Sequence, residues 1–389
     1  MVFVFWQNML THHQAPWISE LAGTPGVKAI VAAEERVAEW RQELGWGDPD
    51  YGCARVIAPL TVDMIAAVTG EAGPDAVHIF SGLAVYRMVH QAFRHCVGRK
   101  VRIGIMAEQN FTGGLVESLR LMSARLKYLQ HGRRVDFLLG IGSGAARWFG
   151  NVGFETRRIY EFSYFPPLPT TAERADATLW RAPGVRLLFI GRLARQKRVD
   201  LMLSALSGLR GLDWSLAIIG SGSEQSRLLQ MTRECGLADR VHFCGALPNS
   251  QAMAALQGAD VLVLPSRYDG YGAVISEALL RGVPVICSDR CGAQQVVTTP
   301  TAGSIFRSGS LESLREALVS WIDRGPLDDA RRQAVTAFAA RIAPDAGACY
   351  FLEIIRHVYE GGPRPLPPWQ RSFDTCNAFG VDAAGTVGP

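Results

Sequence analysis

The sequence predicts two α/β domains, each built on a parallel sheet, that face each other across a cleft. Short apolar runs alternate with helix-like segments along most of the 389 residues, and such strands are typical of parallel sheets covered by helices on both faces. At about 150 residues per domain, the length favours two or three domains. With 48% hydrophobic and 20% charged residues, the chain is not globally disordered, collagen-like or a coiled coil.

Nine apolar runs are the predicted strands, and they fall into two series. The first series is VFVFW at 2–6, AVHIF at 76–80, VRIGIM at 101–106 and DFLLGIG at 136–142. The second series is RLLFIG at 186–191, LAIIG at 216–220, VHFCG at 241–245, VLVLP at 261–265 and VPVIC at 283–287. We interpret His78, inside the apolar run AVHIF at 76–80, as a core histidine rather than a catalyst.

A stretch rich in Pro, Ala and Thr at 164–184 separates the two series, and its prolines exclude a regular element from its first third. After the second series, 345–359 has a helical pattern, and from Gly361 the chain becomes Pro-rich and is predicted to be poorly ordered. The predicted units are a first domain at 1–165, a linker at 166–184, a second domain at 185–345, a helix at 346–362 that packs back on the first domain, and a tail at 363–389.

Composition also predicts where the protein resides. No apolar run approaches the 18 to 20 residues, roughly, of a membrane span, and the stretch 2–6 lacks the features of a signal peptide. The 8 cysteines are scattered, which favours reduced thiols. Cys287 and Cys291 have no second pair to complete a metal site. We therefore predict a cytoplasmic protein.

The net charge of +4 conceals an asymmetry. Residues 1–80 carry 4 basic and 10 acidic groups, whereas 81–134 carry 10 basic and 2 acidic groups, so the second block is suited to an anionic partner. Within it, 115–134 has a helical apolar stripe, formed by Leu115, Leu119, Met122, Leu126 and Leu129. Two interpretations stay open: a core-facing helix with a solvated basic side, or a surface helix that contacts anionic lipid at the inner face of the membrane or a phosphate-bearing acceptor. Nothing in the sequence favours a nucleic acid.

Because open α/β sheets bind ligands beyond the carboxyl ends of their strands, the residues after each strand are the candidates for function. Arg192 and Lys197 follow RLLFIG, close to a helix start near Val199. Cations there oppose the helix dipole, which favours an anion such as a diphosphate between them. The alternative is that basic residues simply precede a helix.

A second candidate is GSGSEQSRLL at 220–229, where Ser221 and Glu224 have the spacing of a capping box. As a dinucleotide fingerprint it fails, since the third glycine would fall at Gln225 and no acidic residue follows at the spacing that binds ribose. An oxidoreductase is therefore disfavoured. The glycines either let the backbone approach a ligand or only form the turn.

The most informative stretch is VLVLPSRYDGYGAVISEALLRGVPVIC at 261–287. Gly270, Tyr271 and Gly272 precede a helix predicted from about 273 to 281, with Gly282 as its left-handed cap, and the amides of a helix start suit a phosphate or a sugar hydroxyl. Glu277 interrupts an apolar helix, and a buried carboxylate requires donors. Vicinal ribose hydroxyls would supply them; the alternative is a Glu277 that faces solvent and an Asp269 that only forms a turn.

The order of these motifs resembles the donor-binding half of the retaining glycosyltransferases of glycosyltransferase family 4, which have the GT-B fold. The resemblance is specific over about 186–307 and loose in the first half. It is carried by GRLARQK, the Gly-Ser-Gly turn, V-x-F-x-G, ADVLVLPS, Asp-x7-Glu and EALLRGVPVICSD. It makes the first domain the acceptor-binding one and the second the donor-binding one.

The resemblance implies that Arg192 and Lys197 hold the diphosphate of a nucleotide sugar, that Glu277 binds the ribose, and that backbone near 245–247 meets the base. Asp269 and the following loop would contact the transferred sugar, although the family has Glu where this chain has Asp269. The predicted donor-binding residues are Gly191, Arg192, Lys197, Gly220, Ser221, Gly245, Leu247, Asp269, Gly270, Tyr271, Gly272 and Glu277.

The acceptor side departs from the family pattern. His12 and His13 lie in the first loop, as acceptor or sugar contacts or as ordinary surface residues. Many family members have a histidine after a later strand, where this chain offers Glu108, either as a group that orients the acceptor hydroxyl or as a helix cap. The predicted catalytic residues are thus Arg192, Lys197, Asp269 and Glu108.

The expected reaction is transfer of a sugar from a nucleoside-diphosphate sugar to a hydroxyl of a lipid-linked or glycan acceptor, with retention, in polysaccharide or glycolipid biosynthesis. No cofactor or metal is expected, because the D-x-D pattern at 48–50 lies in a turn and the cations can stabilise the leaving diphosphate. The alternatives are a sugar-nucleotide epimerase or glycoside phosphorylase on the same architecture, and a non-catalytic subunit that binds nucleotide sugars.

Overall fold

The computed structural model describes residues 1–42, 46–82, 86–99, 101–109, 114–170 and 177–371. Within them the chain forms two parallel sheets with helices on both faces, which confirms the predicted fold class. The strands of the N-terminal sheet are β1 (Val2–Met9), β2 (Lys28–Glu35), β3 (Arg55–Ile57), β4 (Val77–Phe80), β5 (Arg102–Glu108), β6 (Phe137–Ile141) and β7 (Ile159–Phe162). Those of the C-terminal sheet are β8 (Val185–Ile190), β9 (Trp214–Ile219), β10 (Val241–Gly245), β11 (Val261–Leu264), β12 (Val285–Ser288) and β13 (Gly303–Phe306).

Each sheet reverses its strand order next to its first strand. The N-terminal sheet runs β3-β2-β1-β4-β5-β6-β7 and the C-terminal sheet runs β10-β9-β8-β11-β12-β13. A crevice for a ligand forms at such a reversal, beyond the carboxyl ends of the strands. The two crevices are therefore at β1/β4 in one sheet and at β8/β11 in the other.

In the described part of the chain, helices connect most of these strands, and three more follow the last strand. They are α1 (Ala15–Gly23), α2 (Glu39–Gln42), α3 (Val62–Ala72), α4 (Arg87–Val97), α5 (Gly114–His131), α6 (Ala145–Val152), α7 (Val199–Ser207), α8 (Gln225–Glu234), α9 (Asn249–Gly258), α10 (Val274–Leu280), α11 (Leu311–Ile322), α12 (Asp329–Ala339) and α13 (Pro344–Glu360). The predicted start near Val199 and the predicted left-handed Gly282, at φ +70°, are confirmed.

All nine predicted strands are present, and the sequence analysis missed four others: β2, β3, β7 and β13. Three of them are short edge strands, and β3 and β13 are partly exposed, so they lack a continuous apolar run. The fourth, β2, has the sequence KAIVAAEE, whose alanines do not distinguish a strand from a helix.

Helix α13 packs on the N-terminal sheet although it follows the C-terminal sheet in the chain. The ring of Phe351 lies 5.1 Å from that of Phe3 and 5.4 Å from that of Trp17. The Tyr350 hydroxyl donates to the Glu161 carbonyl at 3.0 Å and the Tyr359 hydroxyl to Asp136 at 2.9 Å. After the C-terminal sheet, the chain thus returns to the N-terminal sheet.

The predicted poor order after Gly361 is wrong for the part of the tail that the structure describes. Trp369 is buried, with its ring 6.2 Å from that of Tyr350, and Arg371 forms an ion pair with Glu353. Trp369 lies in a 3₁₀ turn at Pro368–Gln370 and anchors this segment against α13. Residues 372–389 lie outside the described residues.

Helix α5 is a surface helix, so its interpretation as a core-facing helix with a solvated basic side is wrong. The apolar side chains that define its stripe are 57 to 76% exposed, namely Leu119, Met122, Leu126 and Leu129; the side chain of Leu115 lies outside the described residues. The helix packs instead through Leu121, Ala124 and Tyr128, a face that the sequence pattern did not single out.

Candidate active site

A cavity of about 860 Å³ lies between the carboxyl ends of the two sheets. One wall is the loop 269–273 that follows β11, and the opposite wall comes from the ends of β1 and β5 together with α5 and α6. The lining includes His13, Glu108, Asp269, Gly270, Tyr271 and Gly272. Six of the predicted site residues, from both halves of the chain, therefore meet at one cavity.

Lys197 and Asp269 form an ion pair at the edge of this cavity. Lys197 Nζ donates to Asp269 Oδ2 at 2.5 Å, and the two side chains are only 16% and 14% exposed. A charge-assisted contact this well shielded from water is stronger than a surface pair. The cation predicted for the diphosphate thus touches the carboxylate predicted for the sugar.

The backbone of loop 269–272 is fixed by the segment that follows β12. Asp269 N–H donates to the Arg290 carbonyl and Gly292 N–H to the Asp269 carbonyl, both at 3.1 Å, and Ala293 N–H donates to the Tyr271 carbonyl at 2.6 Å. These bonds extend the pairing of β11 with β12 beyond the strands. The loop therefore presents its other side to the cavity as a rigid surface.

Glu108 faces this loop from the end of β5. A Cβ on Gly270 would lie 2.5 Å from Glu108 Oε2, so a side chain at this position would displace the Glu108 carboxylate. Burial raises the pKa of Glu108, and the nearby Asp269 raises it further, whereas a hydrogen bond from the Tyr164 hydroxyl, 2.5 Å from Oε1, opposes the increase. Glu108 is therefore a half-buried carboxyl group that faces the loop of Asp269 and is hydrogen-bonded to Tyr164.

Sequence reasoning missed Tyr164, which comes from the predicted boundary of the linker. Its ring packs against Tyr271 at 4.7 Å and against His13 at 5.4 Å, and burial together with the Glu108 carboxylate raises its pKa well above the usual range of tyrosine. The phenol is thus a neutral hydrogen-bond donor to Glu108. A tyrosine before a Phe-Pro-Pro run has no sequence signal for such a role.

The first loop, which carries His12 and His13, is held by a buried polar network. Gln7 Nε2 donates to Gln14 Oε1 at 2.6 Å, the Tyr51 hydroxyl donates to Gln7 Oε1 at 3.0 Å, and Thr11 N–H donates to the Tyr51 oxygen at 3.1 Å. The network shapes the turn before α1, where Pro16 lies in the first helical turn. Its glutamines carry no motif that sequence analysis could have recognised.

The two histidines of this loop occupy different positions. His13 lines the cavity, and its Nδ1 lies 3.9 Å from Glu277 Oε1. The His12 ring packs at 4.7 Å on Trp46. Glu277 is 7% exposed, so the alternative in which it faces solvent is wrong. His13 and Glu277 thus join the two halves of the chain beside the cavity.

The glycines after β8, β9 and β10 form a continuous backbone layer. Gly191 N–H donates to the Ile219 carbonyl at 3.0 Å and Gly220 N–H to the Gly245 carbonyl at 2.7 Å. A Cβ on Gly220 would lie 2.0 Å from the Gly191 carbonyl oxygen. At Gly220 the missing side chain therefore allows two loops to approach each other closely.

The predicted capping box at Ser221 and Glu224 is wrong. Glu224 itself precedes α8, and no side-chain hydrogen bond caps that helix. The Glu224 carboxylate binds Arg195 and Arg227 instead, because these guanidinium groups compete for it, while the Ser221 carbonyl accepts from Leu193 N–H at 2.8 Å.

The structure does not bring all predicted donor residues to the cavity. Eight of the predicted donor-binding residues belong to the C-terminal domain but do not line the cavity. They are Gly191, Arg192, Lys197, Gly220, Ser221, Gly245, Leu247 and Glu277. Arg192 is exposed in the loop after β8, and Leu247 packs at the edge of the core.

Residues considered for metal binding have other partners. Asp48 accepts from Arg36, and Asp50 accepts from Gly52 N–H at 2.8 Å, as a turn requires. Cys291 is buried, which raises the pKa of its thiol to about 12. Across the described part of the chain, no group of three His, Cys, Asp or Glu side chains could hold a metal ion, and the seven cysteines there are free thiols.

His78 has the role that the sequence predicted. It is fully buried in β4, where Trp6 Nε1 donates to its Nδ1 at 3.1 Å, and burial lowers its pKa to about 4.

None of the helices in the described ranges has the length and hydrophobicity that crossing a membrane demands.

Comparison with known proteins places these features in a class. Residues 174–341, in the C-terminal half of the chain, match the family model of glycosyl transferases group 1. The whole chain resembles the lipopolysaccharide outer core galactosyltransferase WaaB, with a TM-score of 0.65 and 17% identity over 93% of this chain and 100% of that one. It also resembles Anabaena HepE solved with UDP, with a TM-score of 0.65 and 15% identity over 91% and 99%. The protein therefore has the GT-B fold.

Curated relatives are similar over part of their length. The glycogen synthase of Mycobacterium tuberculosis is 31% identical over 175 residues, which is 43% of this chain and 41% of the synthase. The GDP-mannose-dependent alpha-(1-6)-phosphatidylinositol monomannoside mannosyltransferase of the same species is 30% identical over 196 residues, or 45% and 51%. This chain thus spans about half the length of the relatives it matches.

Proposed function

We propose that the protein is a retaining glycosyltransferase that moves a sugar from a nucleoside-diphosphate sugar to a hydroxyl acceptor without a metal. The observation that carries the proposal is the meeting of the Lys197–Asp269 pair with Glu108 across one cavity. The group 1 domain at 174–341 supports a transferase, and the GT-B neighbour solved with UDP supports a nucleotide-sugar donor.

In this proposal the donor lies on the C-terminal side of the cavity. Arg192 and Lys197 neutralise the diphosphate, Glu277 binds the ribose hydroxyls, and the loop 269–272 contacts the sugar. The backbone of Gly191, Gly220, Ser221, Gly245 and Leu247 surrounds the nucleotide. As the bond from the anomeric carbon to the phosphate oxygen breaks, its electron pair stays on the phosphate, and fixed cations stabilise that charge.

Retention follows if the acceptor attacks from the face that the phosphate leaves. The acceptor oxygen then bonds to the anomeric carbon while its proton passes to the leaving phosphate oxygen, so no enzyme base is needed. Glu108, whose pKa is raised, would orient the acceptor hydroxyl by hydrogen bonding. His13 and His12 would contact the sugar or the acceptor from the first loop.

A melting-temperature screen with UDP-, GDP-, ADP- and dTDP-sugars tests donor binding. A ligand at 100 times its Kd stabilises the folded state by about 2.7 kcal/mol, and the sugar that gives the largest shift is then assayed for transfer and for the anomeric configuration of the product. Lys197→Met should abolish most of the shift. The matched control is Arg195→Gln, on the same turn, because Arg195 is 90% exposed and pairs with Glu224.

The same screen separates the alternatives. A nucleotide sugar that binds, but whose sugar is transferred to no acceptor in membrane extracts and to no glycan, would favour a non-catalytic subunit. That alternative is considered because Asp269 is one methylene shorter than the Glu of the family. Appearance of the epimeric sugar nucleotide without acceptor would favour an epimerase, and sugar phosphate formed from a glycan and phosphate would favour a phosphorylase. No melting shift with any of the four nucleotide classes would contradict the proposal.

We also propose that the enzyme works at the inner face of the cytoplasmic membrane, in the synthesis of a glycolipid or polysaccharide, and that α5 contacts anionic lipid. Support comes from the exposed stripe of Leu119, Met122, Leu126 and Leu129, in a chain segment rich in arginine and lysine. An amphipathic helix with such faces binds anionic interfaces.

Flotation with vesicles of phosphatidylcholine and phosphatidylglycerol tests this contact at low salt, since screening weakens it at high salt. Leu126→Ser with Leu129→Ser should remove the binding. Met64→Ser is the control, because Met64 is an apolar residue of α3 with 41% exposure outside the stripe. Equal flotation of all three proteins would contradict a role for α5.

A further inference from the structure

Helix α5 presents three different faces. The apolar stripe faces solvent, and Leu121, Ala124 and Tyr128 pack on the N-terminal core. A third face lines the active-site cavity and consists of Arg120, Ser123, Ala124 and Lys127. On an ideal helix the centre of this face lies about 130° from that of the apolar stripe. One helix therefore borders both the solvent-facing apolar surface and the cavity.

The cavity is lined by groups of both charges and by an apolar part. Glu108 and Asp269 come from β5 and the loop after β11, whereas Arg120 and Lys127 lie on α5. The apolar part of the lining is formed by Trp148, Phe149 and Val152 of α6. A ligand that fits this arrangement has a hydroxyl-bearing end, an apolar part and an anion.

We propose that Arg120 and Lys127 bind the phosphate of a lipid-linked acceptor and so place the acceptor hydroxyl at Glu108. This inference rests on the proposed function, because it names the acceptor of that reaction. The two residues are seven positions apart, about 10 Å along the helix axis, a span that two long side chains can close around one phosphodiester. Arginine and lysine are the usual ligands of phosphate.

A lipid fits this site better than a free phosphate because of the neighbouring face. With Leu119, Met122, Leu126 and Leu129 in the membrane interface, the cations of the cavity face would lie about one helix diameter, roughly 10 Å, from the acyl region. That is the depth of lipid headgroups. A phosphate could then enter the cavity while its acyl chains remain in the bilayer.

The test measures binding of soluble dihexanoyl phosphatidylglycerol, below its micelle concentration, to the full chain by calorimetry. Arg120→Gln with Lys127→Gln should weaken this binding at least 10-fold, as loss of two charge-assisted contacts implies. Arg133→Gln with Arg134→Gln is the matched control, because it removes the same charge from an exposed turn directly after α5. It should keep the affinity within 2-fold.

Two further arms identify the ligand and isolate the proposal. Binding of UDP should stay within 2-fold in both double variants, and binding of inorganic phosphate to the wild type should be weaker than that of the lipid. Leu126→Ser with Leu129→Ser should keep the affinity for the soluble lipid but should no longer bind vesicles.

Several results would overturn the assignment of Arg120 and Lys127. They are unchanged lipid binding in their double variant, an equal loss in the Arg133 and Arg134 control, or a parallel loss of UDP binding. Inorganic phosphate that binds as tightly as the lipid would overturn the choice of a lipid acceptor. Lipid binding that needs both cations, together with no binding of any nucleotide, would instead refute the donor half of the proposed function and leave the phosphate site standing.

Discussion

Lys197 Nζ lies 2.5 Å from Asp269 Oδ2, so the cation proposed for the donor diphosphate is paired with the carboxylate proposed for the donor sugar. The partners are 72 residues apart in the sequence and follow β8 and β11, which are neighbours at the reversal of the C-terminal sheet. Binding of a diphosphate at Lys197 must therefore share or replace this contact.

The ion pair predicts opposite effects for its two partners. Asp269→Asn frees the ammonium group, so UDP should bind as tightly as in the wild type or more tightly, while transfer falls. Lys197→Met should lower kcat by about 10²- to 10³-fold, which corresponds to about 2.7–4 kcal/mol in the barrier. Titration of UDP and steady-state kinetics measure both. Equal loss of UDP affinity in the two variants would show that the pair only maintains structure.

The raised pKa of Glu108 predicts a dependence of stability on pH. Between an unfolded pKa of about 4.3 and the higher folded one, the folded chain binds more protons, so its free energy of unfolding falls as pH rises. Glu108→Gln retains an oxygen for the Tyr164 hydroxyl and lacks this titration. The stability of the variant relative to the wild type should thus increase from pH 4 to pH 7 in urea unfolding.

Tyr164→Phe serves as the companion variant for Glu108. It removes the hydrogen bond that opposes the rise of the Glu108 pKa, so the loss of stability should extend to higher pH than in the wild type. If the difference in free energy of unfolding between Glu108→Gln and the wild type does not vary with pH, the pKa of Glu108 is not raised in the folded state.

His78 predicts a loss of stability in acid. Its pKa is about 4 in the folded state and about 6.5 when unfolded, so the unfolded chain binds the extra proton in this window. Stability should fall by about 3 kcal/mol as the pH drops from 7 to 4. His78→Asn can still accept from Trp6 and should lack this contribution, which parallel urea titrations at several pH values would measure.

Close packing of the segment after β12 against loop 269–272 predicts that Gly292 tolerates no side chain. A Cβ there would lie 2.2 Å from the Gly270 carbonyl, and Ser143 N–H donates to the Gly292 carbonyl at 2.9 Å. Gly292→Ala should cost about 1–3 kcal/mol of stability and reduce transfer, because loop 269–272 must shift. Gly211→Ala, which meets no atom within 4 Å, is the control and should be close to neutral.

How much of the site could be predicted depends on which part of the chain carried it. Lys197, Asp269 and Glu277 stood at strand ends or in an apolar helix, where a charged side chain is conspicuous. Tyr164 could not be found, because its role arises only when the linker passes between Glu108 and Tyr271. The polar network of Gln7, Gln14 and Tyr51 could not be predicted either, since it joins residues that share no motif.

The apolar and glycine patterns by themselves determined two parallel α/β sheets, their central strands and the positions of the chemically active loops, because burial between helices demands continuous apolar strands. The tertiary structure alone decided which of these loops meet. It paired Lys197 with Asp269, set Glu108 against Gly270, and turned the apolar stripe of α5 to solvent instead of the core. Local periodicity shows that a helix has an apolar face, but only the packing of its neighbours decides whether that face is covered.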